Sequence, residues 1–338
     1  MASGNVSAAV LEALLTSEEP SIVWKTRVHV LGEPPDPALS EAVRSSLRVK
    51  ALLEGMASRV YDKWRGPHWV LAALADLGYP PGDPALHPWR EAVLTTWLAE
   101  GYLHDLVVTT RARAYSKDGV PIIEGRARRC ASQQGNALLF LHRLGLADER
   151  CQLLASRLLD WQWPDGGWNC DKDPAADTSS FMETLLPMRG LHLHGMVTGD
   201  DRALEAARAA AEVFLQRGLF RRRRDGEVIN QSFLNLHYPL YWHYDILGGL
   251  KGLGELGLLG DPRAGEALEM LMDKRLPDGG WPAEERYYSA SKSGANGDSV
   301  DWGGTSRRRA NPWVTVDALT VLARSGRMTG RDHQQAQP

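Results

Sequence analysis

Most of Gln162-Trp-Pro-Asp-Gly-Gly-Trp168 returns later in the chain as Leu276-Pro-Asp-Gly-Gly-Trp281. Both copies follow a stretch in which apolar residues recur at helical spacing. Proline removes a backbone donor and the glycines supply turn conformations, so Pro-Asp-Gly-Gly cannot continue a helix. Each copy therefore ends one helix and directs a tryptophan at its neighbour. The recurrence predicts a chain built from repeated helical units.

Helix pairs of irregular length account for most of the sequence. Aspartates in the turns, as in Gly260-Asp-Pro, can cap the free amides of the following helix. No stretch has the alternating pattern of a strand, so we predict an all-α protein. The predicted pairs are 21–32 with 39–55, 68–78 with 89–101, 135–145 with 149–163, 181–195 with 201–218, and 244–259 with 262–275, and a sixth begins at 313–326.

Three long segments, 106–129, 219–242 and 284–312, interrupt these pairs. Long ordered loops in a compact domain usually carry function, so we expect them to fold over one mouth of the molecule. Residues 289–298 are rich in serine and glycine, and we expect them to act as a lid.

The bulk composition excludes several classes of protein. Lysine and arginine number 39 against 42 acidic residues, so a net charge of −3 gives no general attraction to nucleic acid. Three cysteines without framework spacing favour a reducing compartment. The N-terminal residues lack a secretory signal and no segment is long and apolar enough to span a bilayer. We therefore expect a cytoplasmic protein without an integral membrane segment, and its oligomeric state is left open.

From about Asn136 the chain resembles single-domain bacterial members of the squalene cyclase-like, prenyltransferase-repeat superfamily. The two loops resemble its QW motif, Gln-x-x-x-Gly-x-Trp, in which the glutamine ties helix ends together and the tryptophan stacks on the next repeat. Other matching stretches are Ser179-Ser-Phe-Met-Glu-Thr-Leu185, Leu219-Phe-Arg-Arg-Arg-Arg-Asp-Gly-Glu227, Tyr238-Pro-Leu-Tyr-Trp-His-Tyr-Asp245 and Asn311-Pro-Trp-Val-Thr315.

Six helix pairs can stack as an open superhelix or close into a barrel of six inner and six outer helices. The resemblance favours closure, so we expect an all-α (α/α)6 toroid over residues 1–338. Within it, residues 1–105 form plainer helix pairs that are a candidate HEAT-like edge, and residues 130–326 form the squalene cyclase-like repeats. Residues 327–338 are expected to be a disordered tail.

The acid motif of class II terpene cyclases, Asp-x-Asp-Asp, is absent. The nearest strings are Asp171-Lys-Asp173-Pro and Ala176-Asp177-Thr-Ser, and an alignment on the second places Ala176 where the family has its acid. If the chain is a cyclase, its acid comes from elsewhere or its substrate is easier to activate than an isolated alkene. An epoxide, an allylic diphosphate and a conjugated system all meet that condition.

Carboxylates at the starts of inner helices are the candidate catalytic residues. Asp245 follows Trp242-His-Tyr, and these aromatic neighbours would desolvate it and keep its proton available. A helix cap is the alternative role of Asp245. Glu183 has the same placement one repeat earlier, where it also fits a capping box. Asp245 is the expected proton-handling residue, with Glu183 and His243 as its assistants.

Asp177 is a further catalytic candidate in the loop between Trp168 and Glu183, which also holds Asp171 and Asp173. Three carboxylates so close together can chelate Mg²⁺ with a diphosphate, and a solvated acidic loop is the alternative.

The chain holds twelve tryptophans against five phenylalanines, and broad aromatic faces can stabilise developing carbocations. Arginine can hold a diphosphate or carboxylate with two hydrogen bonds, and the runs 221–224 and 307–309 are candidates for this role. The alternatives are packing between repeats and a solvated basic surface. The candidate substrate-binding residues are Trp168, Phe181, Tyr238, Trp242, Tyr244, Trp313, Arg221 and Arg222.

Protein prenyltransferases of the same superfamily bind zinc through Asp, Cys and His ligands. Cys130 and Cys170 are candidates for such a site if they approach each other, with His237 or His243 as a third ligand. The alternative is that both cysteines are small buried residues. No metal ligand is assigned from the sequence, and no cofactor is expected, although Mg²⁺ and Zn²⁺ stay open.

The leading hypothesis is a terpene cyclase-like enzyme, an isomerase or lyase that folds an apolar isoprenoid substrate in an aromatic-lined cavity. The alternatives are a prenyltransferase that uses a prenyl diphosphate, and a toroid that binds without catalysis. The expected partner is a small apolar molecule and not a nucleic acid.

Overall fold

The computed structural model describes residues 8–110, 112–115, 118–290 and 296–328. Within these ranges no helix is both long and apolar enough to cross a bilayer.

The α-helices are α1 (Ala8–Leu15), α2 (Pro20–Lys25), α3 (Pro37–Arg44), α4 (Leu47–Glu54), α5 (Pro67–Leu77), α6 (His87–Trp97), α7 (Glu100–Leu103), α8 (Ala131–Arg143), α9 (Arg150–Trp161), α10 (Phe181–Thr198), α11 (Asp201–Leu215), α12 (Ile246–Glu255), α13 (Gly265–Asp273) and α14 (Pro312–Arg324).

All of the predicted helices form, with small shifts at their ends. The predicted helix 39–55 is divided into α3 and α4, and α1 was not predicted. A π-helix, Thr26–Val30, continues α2 directly after Lys25, and such wide turns often occur at functional sites. The predicted tail from residue 329 and the centre of the predicted lid, 291–295, lie outside the described residues.

One small sheet corrects the prediction that no strand forms. Its strands are β1 (Asp105–Val107), β2 (Val120–Ile123) and β3 (Arg126–Ala127), and they lie in the segment expected to be a loop. β1 pairs with β2 in parallel, and β2 pairs with β3 antiparallel. Glu124 and Gly125 join the last two strands with positive φ angles of 49° and 68°, as a tight hairpin turn requires. Strands of two to four residues are too short to produce an alternating pattern.

The first helices of the pairs contact one another in a cycle. α5 contacts α8, α8 contacts α10, α10 contacts α12, and α12 contacts α14. α14 in turn contacts α2 and its π-helix, and α2 contacts α5. The second helices α6, α9, α11 and α13 pack on α5, α8, α10 and α12. α1 contacts α2, which itself contacts α5 and α14. The N-terminal helices therefore join both sides of the repeat region.

Helices α8 and α10 cross at very short range because glycines face each other there. A side chain at Gly135 would meet the backbone of Pro187 at 2.4 Å, and one at Gly190 would meet the carbonyl of Gly135 at 2.4 Å. Pro187 lies inside α10, where its ring leaves one helical hydrogen bond unmade. Close contact of the two backbones therefore fixes the crossing point of the two helices.

The two Pro-Asp-Gly-Gly-Trp loops adopt the same geometry. The indole N–H of Trp168 donates to the carbonyl of Leu158 at 3.0 Å, and that of Trp281 donates to Leu271 at 2.6 Å. Their backbone amides donate to the hydroxyl oxygens of Thr184 and Thr315, at 3.2 and 2.9 Å. Each tryptophan thus joins the helix before its loop to the first turns of the helix that follows.

Gln162 links the end of α9 to its own loop and to the middle of α11, whereas the resemblance to the QW motif implies a tie between helix ends. Its side-chain amide donates to Gly166 O at 2.6 Å inside the loop and to Ala206 O of α11 at 2.9 Å. Arg275 stands at the corresponding place in the second loop and donates to Gly279 O at 2.9 Å. The hydrogen bond inside the loop is therefore kept, with an arginine donor in place of the glutamine.

We expect Gly166→Ala to lower the free energy of unfolding much more than Gly199→Ala. Both glycines have positive φ, at 98° and 76°, which costs an alanine about 1–2 kcal/mol. A side chain at Gly166 would also meet Ala209 O at 2.4 Å, whereas Gly199 has nothing within 4 Å. That overlap should cost a further ~1–3 kcal/mol, measured by urea unfolding. Equal losses would show that the loop is not packed against α11.

Candidate functional site

A cavity lies where α5, α8, α10 and α12 meet the segment 237–241. It holds about 840 Å³ of space not filled by atoms, part of which is open to solvent. One part of its wall is aromatic and aliphatic, with Trp69, Leu139, Phe140, Leu186, Tyr238, Leu240, Tyr241, Leu247 and Trp302. The other part is charged or polar, with Asp76, Asn136, Arg143, Arg189, His237, Asp245, Lys251 and Asp317. The cavity therefore suits an amphipathic ligand better than a hydrocarbon.

Two lysines and two aspartates form an alternating network at the charged side of the cavity. Asp76 lies 2.7 Å from Lys25 Nζ and 3.0 Å from Lys251 Nζ. Asp317 lies 2.9 Å from Lys25 and 2.8 Å from Lys251. Asp76 also accepts the Tyr238 hydroxyl at 2.8 Å. Each carboxylate thus touches both ammonium groups, and α2, α5, α12 and α14 are linked through them.

Mutual attraction keeps this network charged despite its burial. Burial alone would lower the pKa of Lys25, whose side chain is 0% exposed, but the charges of Asp317 and Asp76 raise it above its ordinary value. Burial would likewise raise the pKa of Asp76, but Lys25 and Lys251 hold it well below its ordinary value. Both groups are therefore ionised at neutral pH.

A second ionic group borders the same cavity. Arg189 binds Glu255 with two hydrogen bonds of 2.7 Å, and Arg143 adds a third of 2.7 Å to the same carboxylate. Burial would raise the pKa of Glu255, but the two arginines hold it far below its ordinary range. Across both groups, four cations face three carboxylates. This side of the cavity therefore carries one more positive than negative charge among these residues.

His237 and Asp245 form a buried pair in the cavity wall. The imidazole Nδ1 lies 2.9 Å from Asp245 Oδ2, which also accepts the backbone N–H of His237 at 2.9 Å. The other carboxylate oxygen accepts the backbone N–H of Gly248 at 2.7 Å, so Asp245 caps α12. Nε2 of His237 is buried and has no hydrogen-bond partner in the described part of the chain.

The charge of the carboxylate decides the protonation of this histidine. Burial alone would lower the pKa of His237, but the charge of Asp245 and its hydrogen bond raise the pKa above its ordinary value of 6.5. When the ring is protonated, it carries a second N–H on Nε2 that no described residue accepts. Among the described residues that line the cavity, Nε2 of His237 and the indole N–H of Trp69 are both buried without a hydrogen-bond partner, so either is a candidate donor to a bound molecule.

The structure places two of the predicted site residues in this wall, Asp245 and Tyr238. Trp168 is buried between helices, and Trp313 stacks behind Tyr238 at 5.1 Å. Phe181 and Tyr244 belong to a buried aromatic cluster, in which the Tyr244 hydroxyl donates to Leu219 O. None of these four is among the residues that line the cavity.

His243 lies between two aromatic rings outside the cavity wall. Its ring stacks on Trp242 at 4.0 Å and on Tyr287 at 3.5 Å. Burial and the nearby charges of His237 and Lys63 lower the pKa of His243 to about 3. The ring is therefore neutral near pH 7 and has no proton to supply beyond its single N–H.

The acidic loop and the basic run are surface features. Asp177 is exposed and accepts the neighbouring Thr178 hydroxyl. The described residues contain one group of three potential metal ligands within 4.8 Å of one another, and it excludes Asp171, Asp173 and Asp177. Arg221 pairs with Glu266 and Arg222 with Asp225, both at exposed positions away from the cavity.

Glu183 lies at a different place from the one expected for a partner of Asp245. Its Oε2 accepts the backbone N–H of Ser132 at 3.0 Å, and Cys170 Sγ lies 3.4 Å from Oε1. Cys130 completes this cluster, so the two cysteines do approach each other. Burial raises the pKa of Glu183 above its ordinary value. The third member of the cluster is this glutamate and not His237 or His243.

Sequence reasoning missed the cations and aspartates that line the cavity. Their signal is a single charged residue in an otherwise apolar helix, as in Leu247-Gly-Gly-Leu-Lys-Gly-Leu253 and Trp313-Val-Thr-Val-Asp-Ala-Leu319. Such a residue is costly to bury alone, so it indicates a partner elsewhere in the fold. The sequence does not identify that partner.

No family model matches the sequence, and no curated protein is significantly similar to it. The likeness to the squalene cyclase-like superfamily rests on the motifs of the two loops and helix starts. Membership of that superfamily is therefore a proposal, and the chemistry of the site has to come from its own residues.

We expect Lys25→Met to lower the free energy of unfolding by about 3–5 kcal/mol, because it leaves Asp76 and Asp317 with one cation between them. Arg263→Met is the control, since it breaks exposed pairs with Glu212 and Asp261 and should cost less than ~1 kcal/mol. Chemical denaturation of both variants measures the difference.

The loss in Lys25→Met should be largest between about pH 5 and about pH 9. The lowered pKa of Asp76 contributes stability above its unfolded value, and this is lost as the pH falls through the folded pKa. The raised pKa of Lys25 contributes stability below its unfolded value, and this is lost as the pH rises through the folded pKa. A loss that does not shrink at acid pH would contradict an ionised pair of Lys25 and Asp76.

Proposed function

We propose that the protein is a terpene cyclase-like enzyme with an (α/α)6 toroid fold. It acts on an apolar isoprenoid that carries an anionic or oxygen-containing group. The cycle of contacts among the inner helices supports the closed arrangement. The repeated tryptophan loops support it as well, because both link the helices before and after them in the same way.

The observation that carries the proposal is the buried His237–Asp245 pair in the wall of an aromatic cavity. His237 is the proton donor, acting through Nε2, because its pKa is raised and that nitrogen has no protein partner in the described chain. Asp245 is the positioning residue. Its two oxygens accept hydrogen bonds from His237 and Gly248, so both are used to hold the imidazole and the start of α12.

The strength of this acid limits the substrate class. An imidazolium is a far weaker acid than a carboxylic acid, and it cannot protonate an isolated alkene at a useful rate. It can protonate an epoxide oxygen, assist departure of a diphosphate, or protonate a conjugated system. The absence of Asp-x-Asp-Asp is consistent with such an easier substrate.

The charged side of the cavity supports an anionic group on the ligand. Lys251, Arg143 and Arg189 line the cavity, and their cluster has one positive charge in excess. A carboxylate or phosphate placed there would balance the charge without breaking the existing pairs.

The aromatic residues that line the cavity support an apolar or cationic portion of the ligand. The rings of Trp302 and Tyr241 are held by Asp298, which accepts the indole N–H at 2.8 Å and the phenol hydroxyl. Fixed aromatic faces attract positive charge that develops on a bound hydrocarbon, by ~0.5–2 kcal/mol each. Trp69 extends this aromatic surface.

We expect His237→Gln to reduce turnover at least about 100-fold, since general acid catalysis typically contributes that much. The assay incubates the full-length protein with prenyl diphosphates, terpene epoxides and polyene carboxylates, and identifies products by mass spectrometry. His192→Gln is the matched control, because His192 lies on α10 and does not line the cavity. Ligand binding without any product would contradict the catalytic part of the proposal, and turnover unchanged in His237→Gln would contradict the assigned acid.

Activity should fall as the pH rises through the folded pKa of His237, because the donor loses its proton there. Asp245→Asn removes the charge that raises this pKa, so the alkaline limb of the pH profile should move to lower pH. A lower rate with an unmoved limb would show that Asp245 serves only as the cap of α12.

A further inference from the structure

Two thiols and a carboxylate converge at the starts of α8 and α10, away from the central cavity. Cys130 is the N-cap residue of α8, Cys170 follows Trp168 in the loop before α10, and Glu183 lies in the first turn of α10. One potential ligand atom from each lies within 4.8 Å of the other two. None of the three lines the central cavity. All three side chains are half-buried, so a small ion can reach them.

The surrounding backbone holds the two cysteine-bearing segments together. The Lys172 ammonium donates to the Arg128 carbonyl, and the Arg128 guanidinium donates to the Asp171 carbonyl at 3.1 Å. These reciprocal bonds join the residues next to Cys170 to those just before Cys130. The approach of the two thiols is therefore fixed by cross-links that do not involve sulfur.

The carboxylate is oriented as well. Oε2 of Glu183 accepts the Ser132 backbone N–H at 3.0 Å, which turns Oε1 toward Cys170 Sγ at 3.4 Å. α8 and α10 cross at glycine contact distance, so the helix that carries Ser132 cannot move relative to the one that carries Glu183. Metal-binding carboxylates are usually oriented by a hydrogen bond from a neighbouring group, as Glu183 is by Ser132.

We propose that Cys130, Cys170 and Glu183 bind one Zn²⁺ ion. Thiolates select zinc over Mg²⁺ and Ca²⁺, and a carboxylate is an accepted third zinc ligand. Three protein ligands leave one tetrahedral position for water or a bound molecule. The two thiolates and the carboxylate carry three negative charges, so a divalent cation removes most of their mutual repulsion. Lys172 offsets much of the remaining charge.

The proposal is independent of the function assigned to the central cavity. It rests on ligand geometry in a different part of the molecule, and metal binding can be measured without any substrate. Failure of the His237 assay would therefore leave the zinc site untouched, and failure of zinc binding would leave the His237 assignment untouched.

Cobalt is the probe of choice because its spectrum reports the ligands. The full-length protein, purified under reducing conditions and freed of metal with a chelator, is titrated with Co²⁺ and then with Zn²⁺. We expect one equivalent of Co²⁺ to give a thiolate charge-transfer band of the intensity for two sulfur ligands, with visible bands typical of tetrahedral coordination. Zn²⁺ should displace it at one equivalent.

The variants test each ligand separately. Cys130→Ser and Cys170→Ser should each halve the charge-transfer band, and Glu183→Gln should keep the band while weakening binding. Removing a residue that only hydrogen-bonds a metal ligand typically weakens metal binding roughly 10–100-fold. Each change to a ligand should weaken Zn²⁺ binding by more than that. Cys151→Ala is the matched control, because Cys151 is buried in α9 outside the cluster and should bind as the wild type does.

The wild-type spectrum decides the matter even if a variant fails to fold. Absence of a charge-transfer band in the reduced protein would overturn the proposal. So would a band and an affinity that are unchanged in both folded serine variants. A disulfide between Cys130 and Cys170 in air, with no metal binding after reduction, would assign the pair to redox chemistry instead and would equally overturn it.

Discussion

Lys25, Asp76, Lys251 and Asp317 come from opposite ends and the middle of the chain, yet each carboxylate touches both ammonium groups. Taking four charges out of water costs several kcal/mol per ion, and only close mutual contact offsets that cost. The four helices that carry them are thus held at fixed distances around one point. An arrangement that displaced one helix would leave a charge buried without a partner. This constraint sets the charged side of the cavity and, through Tyr238, part of its wall.

The two Pro-Asp-Gly-Gly-Trp loops also hold helices together, but through contacts between residues close in sequence. The indole N–H of Trp168 and of Trp281 donates to a carbonyl ten residues earlier, and the backbone N–H of each donates to a threonine hydroxyl oxygen on the next helix. The loops therefore fix the spacing between consecutive pairs. These contacts are local in sequence and repeat with the chain. The ionic network is not local, and it joins the first helices to the last. Together they explain how irregular pairs form a cycle in which α2 reaches both α5 and α14.

The helix packing produced by the ionic network and the tryptophan loops brings together two candidate sites of different chemistry. The central cavity combines a charged side, an aromatic side and the His237–Asp245 pair, which suits proton transfer to an amphipathic molecule. The Cys130, Cys170 and Glu183 cluster lies where α8 and α10 begin, and its donors suit a thiophilic ion. In both candidate sites a carboxylate lies at the start of a helix, Asp245 at α12 and Glu183 at α10.

The helical class, most helix boundaries and the tryptophan loops could be predicted from the sequence, because these features depend on spacing and turn chemistry within a few residues. It also singled out Asp245, Tyr238 and the two cysteines. It missed the short sheet, whose strands are too brief for a pattern, and it placed Arg221 at a site when the structure places it on the surface.

Which charged and hydrogen-bonding side chains pair with each other could be read only from the folded structure. Whether Asp245 is a proton donor or the acceptor for His237 depends on a backbone path that brings Nδ1 to 2.9 Å, and spacing does not reveal that distance. Whether Lys25 is charged depends on carboxylates from α5 and α14. Ion pairs between residues far apart in the sequence depend on how the helices pack, and the spacing of residues along the chain does not predict them. Local structure was therefore readable from the sequence, whereas the electrostatics of both sites required the fold.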